Sequence, residues 1–187
     1  MSKGMFRSAL ALVVSVALLG AMPALARQDD RRLDTLFADL QAASGPEAQK
    51  VQGQIWEIWF QSGSDTVDLL MADAGQATNM GLNEQAEEQY DAIIDLAPDF
   101  AEGWNRRATL RFMRGNYSGS IADINQVLEL EPRHFGALAG LGAIYDKIEQ
   151  PEAALHAFRE ALLINPHMAE VRKRADEIAK QLKDREI

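Results

Sequence analysis

Three histidines, His134, His156 and His167, are the side chains of this sequence best suited to moving protons or binding a metal. Their separations of 22 and 11 residues match none of the short ligand spacings of a zinc or metalloprotease site. With no cysteine in the chain, thiol nucleophiles, disulfides and thiolate metal sites are ruled out. There is no Gly-rich phosphate loop, no nucleophile elbow and no His-Glu-x-x-His. Carboxylates are plentiful, but none is set in a pair that the sequence marks as a general acid and base. The expectation is therefore a protein that is not an enzyme and carries neither cofactor nor metal, its histidines serving as turn or surface groups. The charged residue that stands out is Arg107, which falls in an otherwise apolar helical stripe. A buried stem whose guanidinium meets an acid is the reading for it. Asp123 is the first choice of partner in this structural ion pair, and Asp73 the second.

The segments that must position these residues repeat at an offset of 34. Residues 101–134 read AEGWNRRATLRFMRGNYSGSIADINQVLELEPRH, and 135–168 read FGALAGLGAIYDKIEQPEAALHAFREALLINPHM. Trp104 falls over Leu138, Ala108 over Gly142, Gly115 over Glu149, Ser120 over Ala154, Ile124 over Phe158 and Pro132 over Pro166. One period earlier the same positions hold Leu70, Ala74, Gly81, Ala86, Tyr90 and Pro98. Each period contains two amphipathic helices, in the middle unit over about 101–114 and 118–131. Gly115 and Asn116 break the first helix, and Pro132, lacking an amide donor, stops the second. Small residues stand where the two helices cross: Ala74 with Ala86, Ala108 with Ser120, Gly142 with Ala154. Neither helix can bury its stripe alone, so neighbouring pairs must stack into a helical solenoid.

This pattern resembles the tetratricopeptide repeat (TPR) family, and exported proteobacterial members of it in particular. The fourth unit meets the family motif at Leu138, Leu141-Gly142, Tyr145, Ala154, Phe158, Ala161 and Pro166. The third meets it at Trp104, Ala108 and Pro132, with Arg107 and Ser120 where Leu and Ala are usual. The second has Asp73 in the Leu position. The resemblance implies an all-α, right-handed solenoid of helix-turn-helix units over 67–100, 101–134 and 135–168. It also implies that the first helix of each unit lines a concave face where a partner segment binds. Carried onto this sequence, that groove presents Met71, Asn105, Arg106, Thr109, Phe112, Met113, Ala139 and Ala143. The carboxylate clamp known in the family is not met, because Met71, Gly75, Gly136 and Gly140 stand where its cationic and amide side chains belong; only Arg106 could touch a carboxylate.

The two ends depart from the repeat. Residues 1–26 read as a cleavable signal peptide, with Lys3 and Arg7 ahead of the 12-residue apolar core 9–20 and Ala24-Leu25-Ala26 as the cleavage site. That core is shorter than the roughly 20 residues of a membrane span. The expectation is export to the periplasm, with no stable membrane insertion after cleavage. Residues 27–66 read as a divergent helical hairpin: Leu33, Leu36, Phe37 and Leu40 form one stripe, and Val51, Ile55, Ile58 and Trp59 the second. Trp56 lies 34 residues before Tyr90, so the hairpin keeps the repeat phase and is expected to cap the N-terminal end of the stack. Residues 169–187 read as a C-terminal capping helix, with Val171, Ala175, Ile178 and Leu182 inward and charges outward.

The formal net charge is −9, and residues 64–100 hold nine acids and no Lys or Arg. This sign excludes a nucleic-acid binder and reads most simply as a solvated face. The functional expectation is a non-catalytic protein–protein interaction module of the cell envelope, gripping a peptide or helix of a partner. The alternative is a self-associating scaffold in the same compartment, that is, a homo-oligomer.

Overall fold

The structure, a computed structural model, describes residues 30–185. The segment read as a signal peptide lies outside the described residues. Within them the chain is α1 (Arg32–Ala42), α2 (Gly45–Trp59), α3 (Asp65–Asn79), α4 (Asn83–Leu96), α5 (Ala101–Met113), α6 (Tyr117–Leu130), α7 (Phe135–Lys147), α8 (Pro151–Ile164) and α9 (Ala169–Arg185), with no strand. From α3 onward consecutive helices pack pairwise as an all-α solenoid.

The turn inside each unit is the same device three times. The backbone is left-handed at Gly81 (φ 74°), Gly115 (φ 75°) and Glu149 (φ 60°), which are equivalent positions. The following amide reaches back to the first helix: Leu82 to the Ala77 carbonyl at 2.9 Å, Asn116 to Arg111 at 2.9 Å, Gln150 to Tyr145 at 2.8 Å. This Schellman closure satisfies carbonyls that the helix end leaves over. Glycine takes the left-handed position without a Cβ clash; Glu149 takes it at a cost.

At the crossings the small residues are buried as their positions require. The Ser120 hydroxyl donates to the Ala108 carbonyl across the third unit at 2.7 Å, so the hydroxyl that replaces a methyl there is satisfied. A Cβ on Gly142 would run into the Phe158 ring.

Polar side chains hold the junction between α4, α5 and α6. Arg107 donates to Asp123 at 2.7 Å and to Asp91 at 2.6 Å. Arg111 donates to Asp123 at 2.9 Å and to Glu87 at 2.9 Å, and Arg114 binds Glu87 and Glu84. Burial works against the Arg107 charge, but the hydrogen bonds it donates to Asp123 and Asp91, with their charges, outweigh it and raise its pKa. The second partner of Arg107 is thus Asp91 of the preceding unit, not Asp73. A third of the acidic run is engaged here: Glu84, Glu87 and Asp91 face a ladder of three arginines rather than water alone.

The first hairpin does not cap the N-terminal end of the stack. Its stripe, with Leu33, Phe37, Leu40, Val51, Ile55, Ile58 and Trp59, buries Phe135 and packs against Ile164 and Met168, not against α3. It lies across the turns that join α6 to α7 and α8 to α9. The Gln41 amide donates to the carbonyls of Leu163 and Ile164, each at 2.7 Å. His167 Nε2 lies 2.8 Å from the Leu40 carbonyl. Asn165 donates to Gln52 at 2.8 Å, and Arg133 donates to Asp34 at 2.7 Å while stacking over Phe37. The physical reason is aromatic area. Trp59 stacks on the His134 ring at 4.1 Å and Trp56 meets Phe135 edge-on at 5.6 Å, contacts that only the turn offers.

At the other end, α9 occupies the first-helix position of a fifth unit. Val171, Ala175, Ile178 and Leu182 close over Leu155, Phe158 and Leu162. Arg174 forks onto Asp146 with two bonds of 2.7 Å, and its pKa is raised by that pairing first and by Glu177 second. No described helix is long and apolar enough to cross a membrane.

Candidate functional site

The concave face is built from α3, α5 and α7, and a carboxylate sits at its root. Glu102, in the first turn of α5, is fully buried. It accepts from Arg106 Nε at 2.6 Å and from the Asn105 amide at 2.8 Å. His134 Nδ1 accepts the Ala137 amide at 3.0 Å, capping α7, so in the neutral ring Nε2 carries the hydrogen and points at Glu102, 3.3 Å away. The Trp59 ring covers this histidine from the hairpin. His134 is therefore a turn residue, as expected from sequence, but a buried one and not a surface group. Glu102 was legible as a partner only through its spacing: it stands four residues before Arg106 on one helix face.

Asn105 and Arg106 are thus held in place from behind. Arg106 spends Nε on Glu102 and lies 4.8 Å over the Phe60 ring, and its two terminal nitrogens make no hydrogen bond among the described residues. In front of it opens a cavity of about 520 Å³, lined by Met71, Gly75, Gln76 and Asn79 of α3, with Asp68, Phe60 and Tyr90. A smaller cleft of about 140 Å³ lies between α5 and α7. Asn105, Thr109 and Phe112 form one wall, and Gly140 and Ala143 the other. Phe112 is braced by Tyr117 at 5.8 Å between ring centres, and the Thr109 hydroxyl is turned back to the Asn105 carbonyl at 3.0 Å. Met113 is 58% exposed and lines neither space; Ala139 is half-buried and also stands outside both.

The hairpin limits the groove at its α7 end. A Cβ on Gly136 would come within 2.9 Å of the Trp56 ring, so only glycine admits that indole. The arrangement offers an apolar floor, one cation with free donors and several amides, which suits holding a chain segment. Among the described residues no group of three His, Asp or Glu could hold a metal ion.

A family model for the tetratricopeptide repeat matches residues 135–168. A TPR repeat-containing protein of Rhizobium etli is 40% identical over 153 residues, covering 81% of this chain and 75% of that protein. Human tetratricopeptide repeat protein 36 is 29% identical over 98 residues, 52% of each chain. Among solved structures, the Yersinia enterocolitica type III secretion chaperone SycD, in complex with a peptide of the translocator YopD, superposes with a TM-score of 0.60 at 16% identity, over 66% of this chain and 97% of that one. The TPR2B domain of yeast Sti1, in complex with pHsp70, gives 0.58 at 18% identity over 63% and 99%. These two share the fold. With its units in register, its stacked helix pairs and its bacterial relative, the chain belongs to the tetratricopeptide repeat family.

Proposed function

We propose that this protein is a non-catalytic interaction module of the bacterial cell envelope, exported to the periplasm, that holds a short segment of a partner protein on the concave face of α3 and α5. The observation that carries the reading is Arg106. Its guanidinium is fixed by Glu102 and Phe60 at the edge of an apolar cavity, and both terminal nitrogens remain free to bind a carbonyl or carboxylate of the bound chain. The structural neighbours SycD and Sti1 were both solved with partner segments, which supports the same use of the fold here. The hairpin across the α7 end confines the partner to the first two units of the groove.

The test is site-specific photocrosslinking in the native host from position 79, facing the cavity. A single discrete adduct in the periplasmic fraction, lost when Met71→Glu is added, is the expected result. An adduct unaffected by Met71→Glu moves the site off the groove. Recovery of the chain in the cytoplasm at full precursor mass overturns the export assignment. The self-associating reading is tested by light scattering over a range of concentrations; a constant monomer mass removes it.

A further inference from the structure

The solenoid has an unfinished end. In every unit the third, seventh, tenth and fourteenth residues form the stripe that meets the second helix of the unit before. On α5 these are Gly103 under Ile93, Arg107 bonded to Asp91 at 2.6 Å, Leu110 in the core with Tyr90 and Ile93, and Arg114 bonded to Glu84 and Glu87. On α7, Ala137, Leu141 and Ile144 pack with Ile124, Val127 and Leu128. On α9, the whole stripe packs against α8. On α3 the equivalent residues are Leu69, Asp73, Gln76 and Met80, and no described helix covers them; Gln76 stands at the border with the groove cavity. Leu69 is 64% exposed and Met80 65% exposed, with Asp73 and Gln76 exposed between them.

The repeat phase assigns the covering role to α2, and electrostatics explains why α2 does not take it. At the α4–α5 junction Asp91 stands opposite Arg107. One period back the same two positions hold Glu57 and Asp73, so a stacked hairpin would bring two carboxylates together. The hairpin is instead engaged by the turns after α6 and α8, and among the described residues the α3 stripe stays open.

We propose that this open face of α3 is a docking site, distinct from the concave groove, for an amphipathic helix of a partner protein bearing an Arg or Lys in the middle of its apolar stripe. The charge opposite Asp73 must be positive, as the Arg107–Asp91 pair shows with the signs reversed. Residues 64–100 supply no cation of their own. From Leu69 to Met80 the face runs about 16 Å at 1.5 Å per residue, the length of a three-turn helix. A second copy of this chain does not meet the need, since two α3 faces would bring Asp73 against another acid-bearing stripe and the Leu155–Leu162 face of α8 is covered by its own α9. The required chemistry is present in α8, where Arg159 lies between Leu155 and Leu162 at the positions that face a following helix. That helix supplies a probe.

The experiment uses the full chain with labelled Leu and Met methyl groups, titrated with a side-chain-stapled peptide of residues 151–164. The staple removes the folding cost of an isolated short helix. Shifts at Leu69 and Met80 are expected, with Met71 in the groove unmoved. Asp73→Lys should weaken binding at least tenfold, and a peptide carrying Arg159→Glu should bind Asp73→Lys better than it binds the unaltered protein. Leu69→Lys with Met80→Lys removes the two reporter methyls, so its effect is read by calorimetry: peptide binding should be lost without a lower melting temperature. Shifts confined to Met71 or to Leu182, no shift at millimolar peptide, or indifference to Asp73→Lys would overturn the proposal. So would a lower melting temperature or a halved mass in the double Lys variant, which would mean that the chain itself or a second copy already covers the face. Because Met71 and Met80 report the groove and the edge separately, failure here is distinguishable from failure of the groove reading.

Discussion

The two ends of this molecule treat the repeat differently. Both α9 and the α1–α2 hairpin carry apolar stripes in phase with the units between them. Helix α9 obeys the phase and closes over α8, while the hairpin leaves it and lies across two inter-unit turns. The stripe of α9 is apolar from Val171 to Leu182 and meets an apolar neighbour. The hairpin would have to set Glu57 against Asp73, and it has a better offer in the His134 and Phe135 rings. Periodicity thus decides that a segment is helical and which face it buries. Which neighbour that face buries against depends on the side chains meeting at the junction.

The contrast breaks most sharply at Trp59. Trp59→Ala removes the ring that stacks on His134 and should take about 4 kcal/mol from hairpin docking. Because the hairpin rests on finished turns, the loss is expected to be local. Hydrogen exchange should show α1 and α2 amides losing protection while α5 to α8 keep theirs; a uniform loss would make the hairpin part of one cooperative unit. Next comes Ile178→Ala in α9, which empties a fully buried site and should cost about 3 kcal/mol. Here the loss should appear in the main denaturant transition, since α9 seals the core of the fourth unit. Two separate transitions would contradict that. Within the stack both ends border, Gly142→Ala should cost about 2 kcal/mol, because its Cβ meets Phe158. An unchanged unfolding midpoint would mean that the ring has room to retreat. The smallest effect has the opposite sign. Glu149→Gly should stabilise by about 1 kcal/mol by relieving a left-handed backbone that the other units give to glycine, read as a higher melting temperature.

Much of the fold could be read from the chain because its causes are local. Gly115 and Pro132 punctuate the third unit, and the helices observed there, Ala101–Met113 and Tyr117–Leu130, lie within a residue of the span their signals predict. The pairing of Arg107 with Asp123 was legible because an Arg at an inward position must find an acid on a helix one turn away in space. The groove was legible by position but not by state. Met71, Asn105, Arg106, Thr109, Phe112 and Ala143 do line its two cavities, yet nothing in the repeat pattern revealed that Glu102 already ties down Asn105 and Arg106. Nor did it reveal that Trp56 fills the space above Gly136. The Glu102 contacts are local, but the repeat pattern does not mark that carboxylate as buried, and the Trp56 contact joins residues 80 positions apart in sequence.

By itself the sequence determined that this is a stack of paired helices, because a 34-residue spacing of small residues, large residues and breakers can be satisfied in no other way. Tertiary structure alone decided where the first hairpin goes, and with it which part of the concave face is closed and which edge of α3 is open. The physical reason is that docking is a competition between surfaces assembled from distant segments. Its outcome turns on a stacked indole and imidazole at one site and on two carboxylates that would meet at the other, neither of which any local pattern records.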